Sequence, residues 1–227
     1  MIAKEKHVLV VFPHPDDEAF GVSGTIATHI QMGTGVTYAC LTLGEMGRNL
    51  GNPPFATRES LPEIRKRELR GAAHAMGLTD LRMMGLRDKT IEFEDDEKMV
   101  DMIKDLIDDV SPSLVITFYP DYCVHPDHEA TARAVVRAVG RMPEAERPKL
   151  HCVAFANNTQ TELGPPDTIH HVEAVQDIKL NTMRAHLSQT AWMLKDLEKR
   201  LADQDPEAIK WVTEERFYTY RFDQGYN

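Results

Sequence analysis

The stretch Val8-Leu9-Val10-Val11-Phe12-Pro13-His14-Pro15-Asp16-Asp17-Glu18 decides the fold. Its first five residues are apolar without polar alternation, which predicts a strand buried on both faces. A proline-rich polar turn ends the run, and a helical stretch from about Asp17 to Met32 follows. A buried strand that feeds a helix opens a βαβ unit, and the pattern recurs downstream. Residues 36–43 read as a second strand. Residues 44–60 hold five Gly and Pro residues and read as a long loop. Residues 62–76 read as a helix, with Pro62 at its start and Gly77 as its stop. A short strand is expected at 81–84 and a helix at 94–110, where Met99, Met102, Ile103, Leu106 and Ile107 recur at helical spacing. Residues 114–118 form another apolar strand, and His125-Pro126 opens a helix over 127–139. Weaker strands are expected at 153–156 and 170–173, two or three helices over 175–211, and a final strand at 216–222. This alternation predicts an α/β fold with a mostly parallel sheet.

Composition narrows the class. The chain has 227 residues, 42% of them hydrophobic, with 26 Lys and Arg against 36 Asp and Glu, for a formal charge of −10. One domain over residues 1–227 is expected. The acidic balance argues against nucleic acid or an anionic membrane as partner. A run of about 18 apolar residues, as a membrane span needs, is absent from the sequence. The first apolar run is too short for a signal peptide. Three scattered cysteines, Cys40, Cys123 and Cys152, form no Cys-x-x-Cys pair, so a cytoplasmic protein without disulfides is expected. The helix at 94–109 carries eight acids, which makes much of the net charge a solvated face.

In a parallel sheet the βα loops gather at the carboxyl edge, where ligands bind near the switch point. Two such loops carry unusual chemistry. One is Phe12-Pro13-His14-Pro15-Asp16-Asp17-Glu18; the other is Tyr122-Cys123-Val124-His125-Pro126-Asp127-His128. Each places a His and a second ligand-type residue three apart, His14 with Asp17 and His125 with His128, on one face of a first helical turn. Two imidazoles and a carboxylate suit a catalytic zinc with a fourth position open to water, and non-haem iron uses similar ligands. Of the adjacent Asp16 and Asp17, one can ligate while the other faces water or substrate. A spare imidazole can stabilise an oxyanion or protonate an amine. Spacing alone does not assign these roles. A single His-Pro-Asp loop is ordinarily a helix cap, and it is the pair, each after a candidate parallel strand, that points to a site.

The two loops resemble the His-Pro-Asp-Asp-Glu and His-Pro-Asp-His motifs of the LmbE-like, or PIG-L, zinc-dependent N-acetylglucosaminyl deacetylases. Further similar segments are Leu41-Thr42-Leu43-Gly44-Glu45 with Gly47, Arg65-Lys66-Arg67-Glu68 before Ala72-Ala73, Gly85-Leu86-Arg87-Asp88, Lys179, and His186-Leu187-Ser188-Gln189. The opening from Val10 to Gly21 is similar to the second type of bacillithiol-biosynthesis deacetylase. The resemblance implies a Rossmann-like three-layer fold and one Zn2+ per chain, Fe2+ or another divalent ion being an alternative. It implies His14, Asp17 and His128 as ligands, Asp16 as general base, and His125 at the oxyanion and as proton donor to the leaving amine. It implies that Asp127 orients an imidazole, that Arg65 and Asp88 hold substrate, and that His186 contacts substrate from a C-terminal helix. Where some relatives carry an oxyanion Tyr, this chain has Cys123, with Tyr122 one residue earlier.

The implied activity is removal of the acetyl group from a small GlcNAc conjugate, N-acetylglucosaminyl malate foremost, with homo-oligomerisation left open. The alternatives are the same chemistry on another N-acetyl sugar or thiol conjugate, and a metal-binding protein without catalysis. Asp16, a carboxylate beyond three ligands, speaks against the last. In the basic cluster Arg65, Lys66, Arg67 and Arg70, one residue can reach an anionic aglycone. Glu45 and Arg48 sit in the long loop at the same edge. His7, His29, His74, His151, His170 and His171 lack a ligand-type partner in sequence and read as structural. Gly33-Thr34-Gly35 does not continue into a dinucleotide fingerprint, because Tyr38 holds the sixth position.

Overall fold

A computed structural model describes residues 2–222. In chain order they form β1 (His7–Phe12), α1 (Asp17–Gly21), α2 (Ser23–Gln31), β2 (Gly35–Thr42), α3 (Leu61–Met76), β3 (Asp80–Leu86), α4 (Asp96–Val110) and β4 (Leu114–Phe118). There follow α5 (Pro126–Gly140), β5 (Lys149–Val153), α6 (Thr159–Glu162), β6 (Thr168–His171), α7 (Gln176–Ala185), α8 (Leu187–Ala202), α9 (Pro206–Thr213) and β7 (Glu214–Thr219). The sheet runs β3-β2-β1-β4-β5-β7-β6. Its first five strands are parallel, and β7 pairs antiparallel with both β5 and β6.

β1 shows why its sequence lacks alternation. Val8, Val10 and Phe12 pack with Val22, Ile26 of α2 and Leu69 of α3. Leu9 and Val11 pack on the other face with Ile103 of α4 and Val135 of α5. Helices on both faces give three layers, the expected α/β arrangement. The chain leaves β1 for β2 on one side and returns to β4 on the other. The crevice between β1 and β4 is therefore the switch point, and both histidine loops open into it.

Three differences from the sequence expectation have tertiary causes. The helix expected over 17–32 breaks at Val22 (φ −148°, ψ 5°), and α2 starts afresh. A new helix start leaves orphan N–H groups, and the Glu215 carboxylate accepts from Gly24 at 2.9 Å and Thr25 at 2.7 Å. Gly24 also admits Val172, since a Cβ there would lie 2.8 Å from it. The strand expected at 153–156 lies at Lys149–Val153, because pairing with β4 sets its register from Leu114↔Lys149. The strand expected at 170–173 lies at Thr168–His171, fixed by β7. The eight acids of residues 94–109 are exposed, and several pair with Arg137, Arg141 and Arg82. All three cysteines are free and buried. Among the described residues no helix is long and apolar enough to cross a membrane.

Glu215 is fully enclosed with Lys179, whose Nζ lies 2.8 Å away; their side chains are 0% and 1% exposed. The pair joins β7, α7 and the start of α2. Lys179→Met leaves Glu215 charged and buried, so it should cost about 3–5 kcal/mol in a denaturant melt; a cost below about 1 kcal/mol would contradict this role.

At the amino-terminal edge of the sheet, buried His29, His151 and His170 line a cavity of about 310 Å3. Burial lowers the pKa of all three, that of His170 to about 3. Among the described residues His29 has no partner for either ring nitrogen. The folded state keeps these rings neutral, whereas an unfolded chain takes up protons near pH 6.5. Stability is therefore full above about pH 6.5 and falls as the pH drops towards about 3. The melting temperature should fall between pH 7 and pH 5, and less in His29→Leu; equal drops in both proteins would refute the assignment.

Candidate active site

Both loops are shaped by unusual backbone. Asp16 takes φ 98°, a left-handed conformation that a residue with a Cβ rarely adopts. It turns the chain sharply enough for the carboxylates of Asp16 and Asp17, adjacent in sequence, to line one cleft together. In the second loop Val124 has φ 53°, and the His125 N–H donates to the Cys123 carbonyl at 2.8 Å. A β-branched residue at the centre of so tight a turn is strained. It sets His125 at the cap of α5, where Nδ1 accepts the Asp127 N–H at 3.2 Å. The other ring nitrogen of neutral His125 then carries the hydrogen.

His14, Asp17 and His128 converge. His14 Nδ1 and His128 Nε2 are 3.2 Å apart. Asp17 turns one oxygen to each ring, Oδ1 at 3.4 Å from His128 Nε2 and Oδ2 at 3.6 Å from His14 Nδ1. Tetrahedral ligands at zinc-like bond lengths stand about 3.3–3.6 Å from one another, so the donor set fits a divalent ion. The far nitrogens are anchored as metal-ligating imidazoles require. His128 Nδ1 is 3.0 Å from the Cys123 carbonyl. His14 Nε2 lies 3.1 Å from Asp127 and 3.2 Å from Asp88. His14, His125 and His128 also place ring nitrogens within 4.8 Å of one another, as do His14, Asp88 and Asp127 with their ligand atoms. The latter group is enclosed, and its carboxylates already accept N–H bonds from Met46, Lys89 and Ile91. The former opens on the cleft through His128.

The two aspartates differ electrostatically. Burial opposes ionisation of Asp17, but His128 and His14 outweigh it and hold the carboxyl far below the usual range. Burial raises Asp16 to about 6 against the pull of Arg65, with Asp17 adding to the rise. Burial also works against charge on His14, yet Asp127, Asp17 and Asp88 raise its pKa well above the ordinary value. His125 is lowered, first by burial and then by His14 and His128.

The residues expected to touch substrate lie behind the loops. Arg65 is 3% exposed; it donates to Gly44 O at 2.8 Å, to Asp16 Oδ2 at 2.9 Å and to Pro15 O. Asp88 is enclosed beside His14. His186 is fully buried, with Nε2 2.5 Å from Glu18 Oε1, and burial is overcome by Glu18 in raising its pKa. Tyr122 donates to Glu162, and burial pushes the enclosed Cys123 thiol up. Glu45 accepts the Asp88 N–H at 3.1 Å.

Sequence reading gave Glu18 and Tyr38 no role. Glu18 Oε2 accepts the Asp16 N–H at 3.1 Å and the Tyr38 hydroxyl at 3.0 Å, which fixes the left-handed turn. Phe118 stacks on His128 with ring centroids 4.2 Å apart. The cleft beyond Asp17 and His128 has a volume of about 620 Å3 and is walled by Phe20, Phe118, Phe155 and Trp211. The sequence held no periodic signal for these contacts, because each joins distant segments.

Residues 9–139 match the PIG-L family, described as GlcNAc-PI de-N-acetylase. The chain is 52% identical over 219 residues to the probable N-acetyl-alpha-D-glucosaminyl L-malate deacetylase 2 of Bacillus cereus, covering 96% of this chain and 100% of that one. It is 50% identical to the Bacillus subtilis protein of the same name, covering 96% and 99%. Its fold is similar to that of the N,N'-diacetylchitobiose deacetylase of Pyrococcus horikoshii, with a TM-score of 0.70 at 24% identity over 95% of this chain and 84% of that one.

Gly44 has φ 61°, and a Cβ there would fall on the Arg65 guanidinium. Gly44→Ala should cost about 1–2 kcal/mol in stability and lower activity about tenfold or more through displaced Arg65 and Asp16; full activity would show that Arg65 does not set Asp16.

Proposed function

Because the chain belongs to the PIG-L family, we propose that it is a divalent-metal-dependent hydrolase that removes the acetyl group from a GlcNAc conjugate, N-acetylglucosaminyl L-malate foremost. One observation carries the reading. An accessible donor set of His14, Asp17 and His128 shares its cleft with a second carboxylate, Asp16, that the set does not need. The near full-length similarity to two malate-conjugate deacetylases supports the choice of substrate.

His14, Asp17 and His128 would hold the ion, zinc being the one this donor set suits. Such an ion polarises a carbonyl and acidifies water. The remaining chemistry falls to the chain. Asp16 Oδ2 is engaged by Arg65, which leaves Oδ1 to accept a proton as water attacks the acetyl carbon. His125 donates its remaining N–H to the developing oxyanion. The C–N bond breaks as the nitrogen takes up a proton returned from Asp16, giving acetate and a free amine. Asp127 and Asp88 orient His14, while Arg65 and the Glu18–His186 pair hold Asp16; these five are positioning residues.

Asp16→Ala should keep the metal and lose at least about 10²-fold in kcat, read by amine release from N-acetylglucosaminyl malate. His14→Ala should lose the metal itself, read by elemental analysis. Unchanged kcat in the first variant, or stoichiometric metal in the second, would refute the corresponding role.

A further inference from the structure

We propose that the aromatic cleft seats the sugar ring on Trp211 and Phe20, and that Lys210 and Arg216 select a carboxylate-bearing substituent at its C1. This inference rests on the deacetylase reading and adds to it the residues that read the substituent.

One cleft joins Asp16, Asp17 and His128 to Lys210, Trp211 and Arg216. Its volume, about 620 Å3, is within the range of small-ligand pockets. The rings of Phe20 and Trp211 lie parallel within 7°, with centroids 6.3 Å apart. Both are half-buried against Ala19, Met183, Leu197 and Val212. The pair is thus a fixed apolar surface, and the C–H face of a pyranose is a matching apolar surface. Phe118 and Phe155 line the same cleft. The acetamido nitrogen is on C2, which is bonded to C1, so when the acetyl group reaches the His/Asp cluster the C1 substituent lies in the same cleft.

The charges of the cleft sort by partner. Asp16 is met by Arg65, Asp17 by the two imidazoles and Glu215 by Lys179. Glu214 engages Arg216 through Nε at 3.3 Å and Nη2 at 2.9 Å, which orients the guanidinium and, among the described residues, leaves Nη1 without a hydrogen bond. Lys210 has no ion pair among the described residues, and neither does Glu207 on the same wall. A substituent with two carboxylates can take both Lys210 and Arg216, with Glu207 opposing it. The platform is held in place because β7, which follows α9 directly, carries the buried Glu215.

The test compares two substrates, the L-malate and the methyl α-glycosides of GlcNAc. In the double variant Lys210→Met/Arg216→Met, the kcat/KM ratio of malate to methyl glycoside should fall about tenfold or more, chiefly through KM. In Glu207→Gln the ratio should rise. Trp211→Ala should raise KM for both glycosides, and binding of either should quench indole emission in the parent protein but not in Trp211→Phe. Turnover with ratios that do not move in either charge variant would overturn the inference and leave the deacetylase reading standing. Quenching without turnover of either glycoside would overturn the deacetylase reading while the cleft assignment stands. Neither turnover nor quenching would overturn both.

Discussion

The carboxyl edge of the sheet depends on Asp16 holding a left-handed backbone angle. Such a conformation costs of the order of 1–3 kcal/mol for a residue with a side chain, and it persists because two buried groups over-determine it. Arg65 grips the Pro15 carbonyl and the Asp16 carboxylate from α3, and Glu18 takes the Asp16 N–H from α1. With the turn fixed, two adjacent carboxylates face one cleft instead of opposite directions. Their environments then divide them, Asp17 enclosed by imidazoles and Asp16 by burial and a guanidinium. Two like groups with different protonation behaviour are the raw material of acid–base chemistry.

The same device serves His14 on the other side. Its ring stands between an enclosed acidic pair, Asp127 and Asp88, and the open side occupied by His128 and Asp17. Asp127 in turn accepts the backbone N–H groups of Lys89 and Ile91, so the loop after β3 is bonded to the first turn of α5. Three βα loops are thereby locked together through one imidazole. This is a network in which every member constrains another, and partial loss would leave buried polar groups without partners.

Much of this was legible in the sequence, and particular residues show why. β1 from Val8 to Phe12 and β4 from Leu114 to Ile116 lack polar alternation because both faces are covered, and with the recurring strand–helix order that pointed to a parallel sheet. The His and Asp residues of the two loops were readable because spacing along a first helical turn is local. Arg65, Asp88 and His186 were marked by resemblance as substrate contacts, yet each is enclosed behind the loops. Nothing local in their sequence distinguishes a side chain that reaches substrate from one that reaches the residue touching it. The break at Val22 was invisible for a similar reason, since its cap, Glu215, is remote in the chain.

By itself the sequence determined the layered α/β architecture, the pair of histidine loops and the ligand-type residues within them. These rest on periodicity and spacing, which are properties of neighbouring residues. Tertiary structure alone decided which carboxylate is engaged by an arginine and which by imidazoles. It also decided that Trp211 and Phe20, from α9 and α1, wall one cleft with Lys210 and Arg216. Such choices depend on burial and on contacts between segments far apart in the chain, and those exist only once β1 and β4 lie side by side.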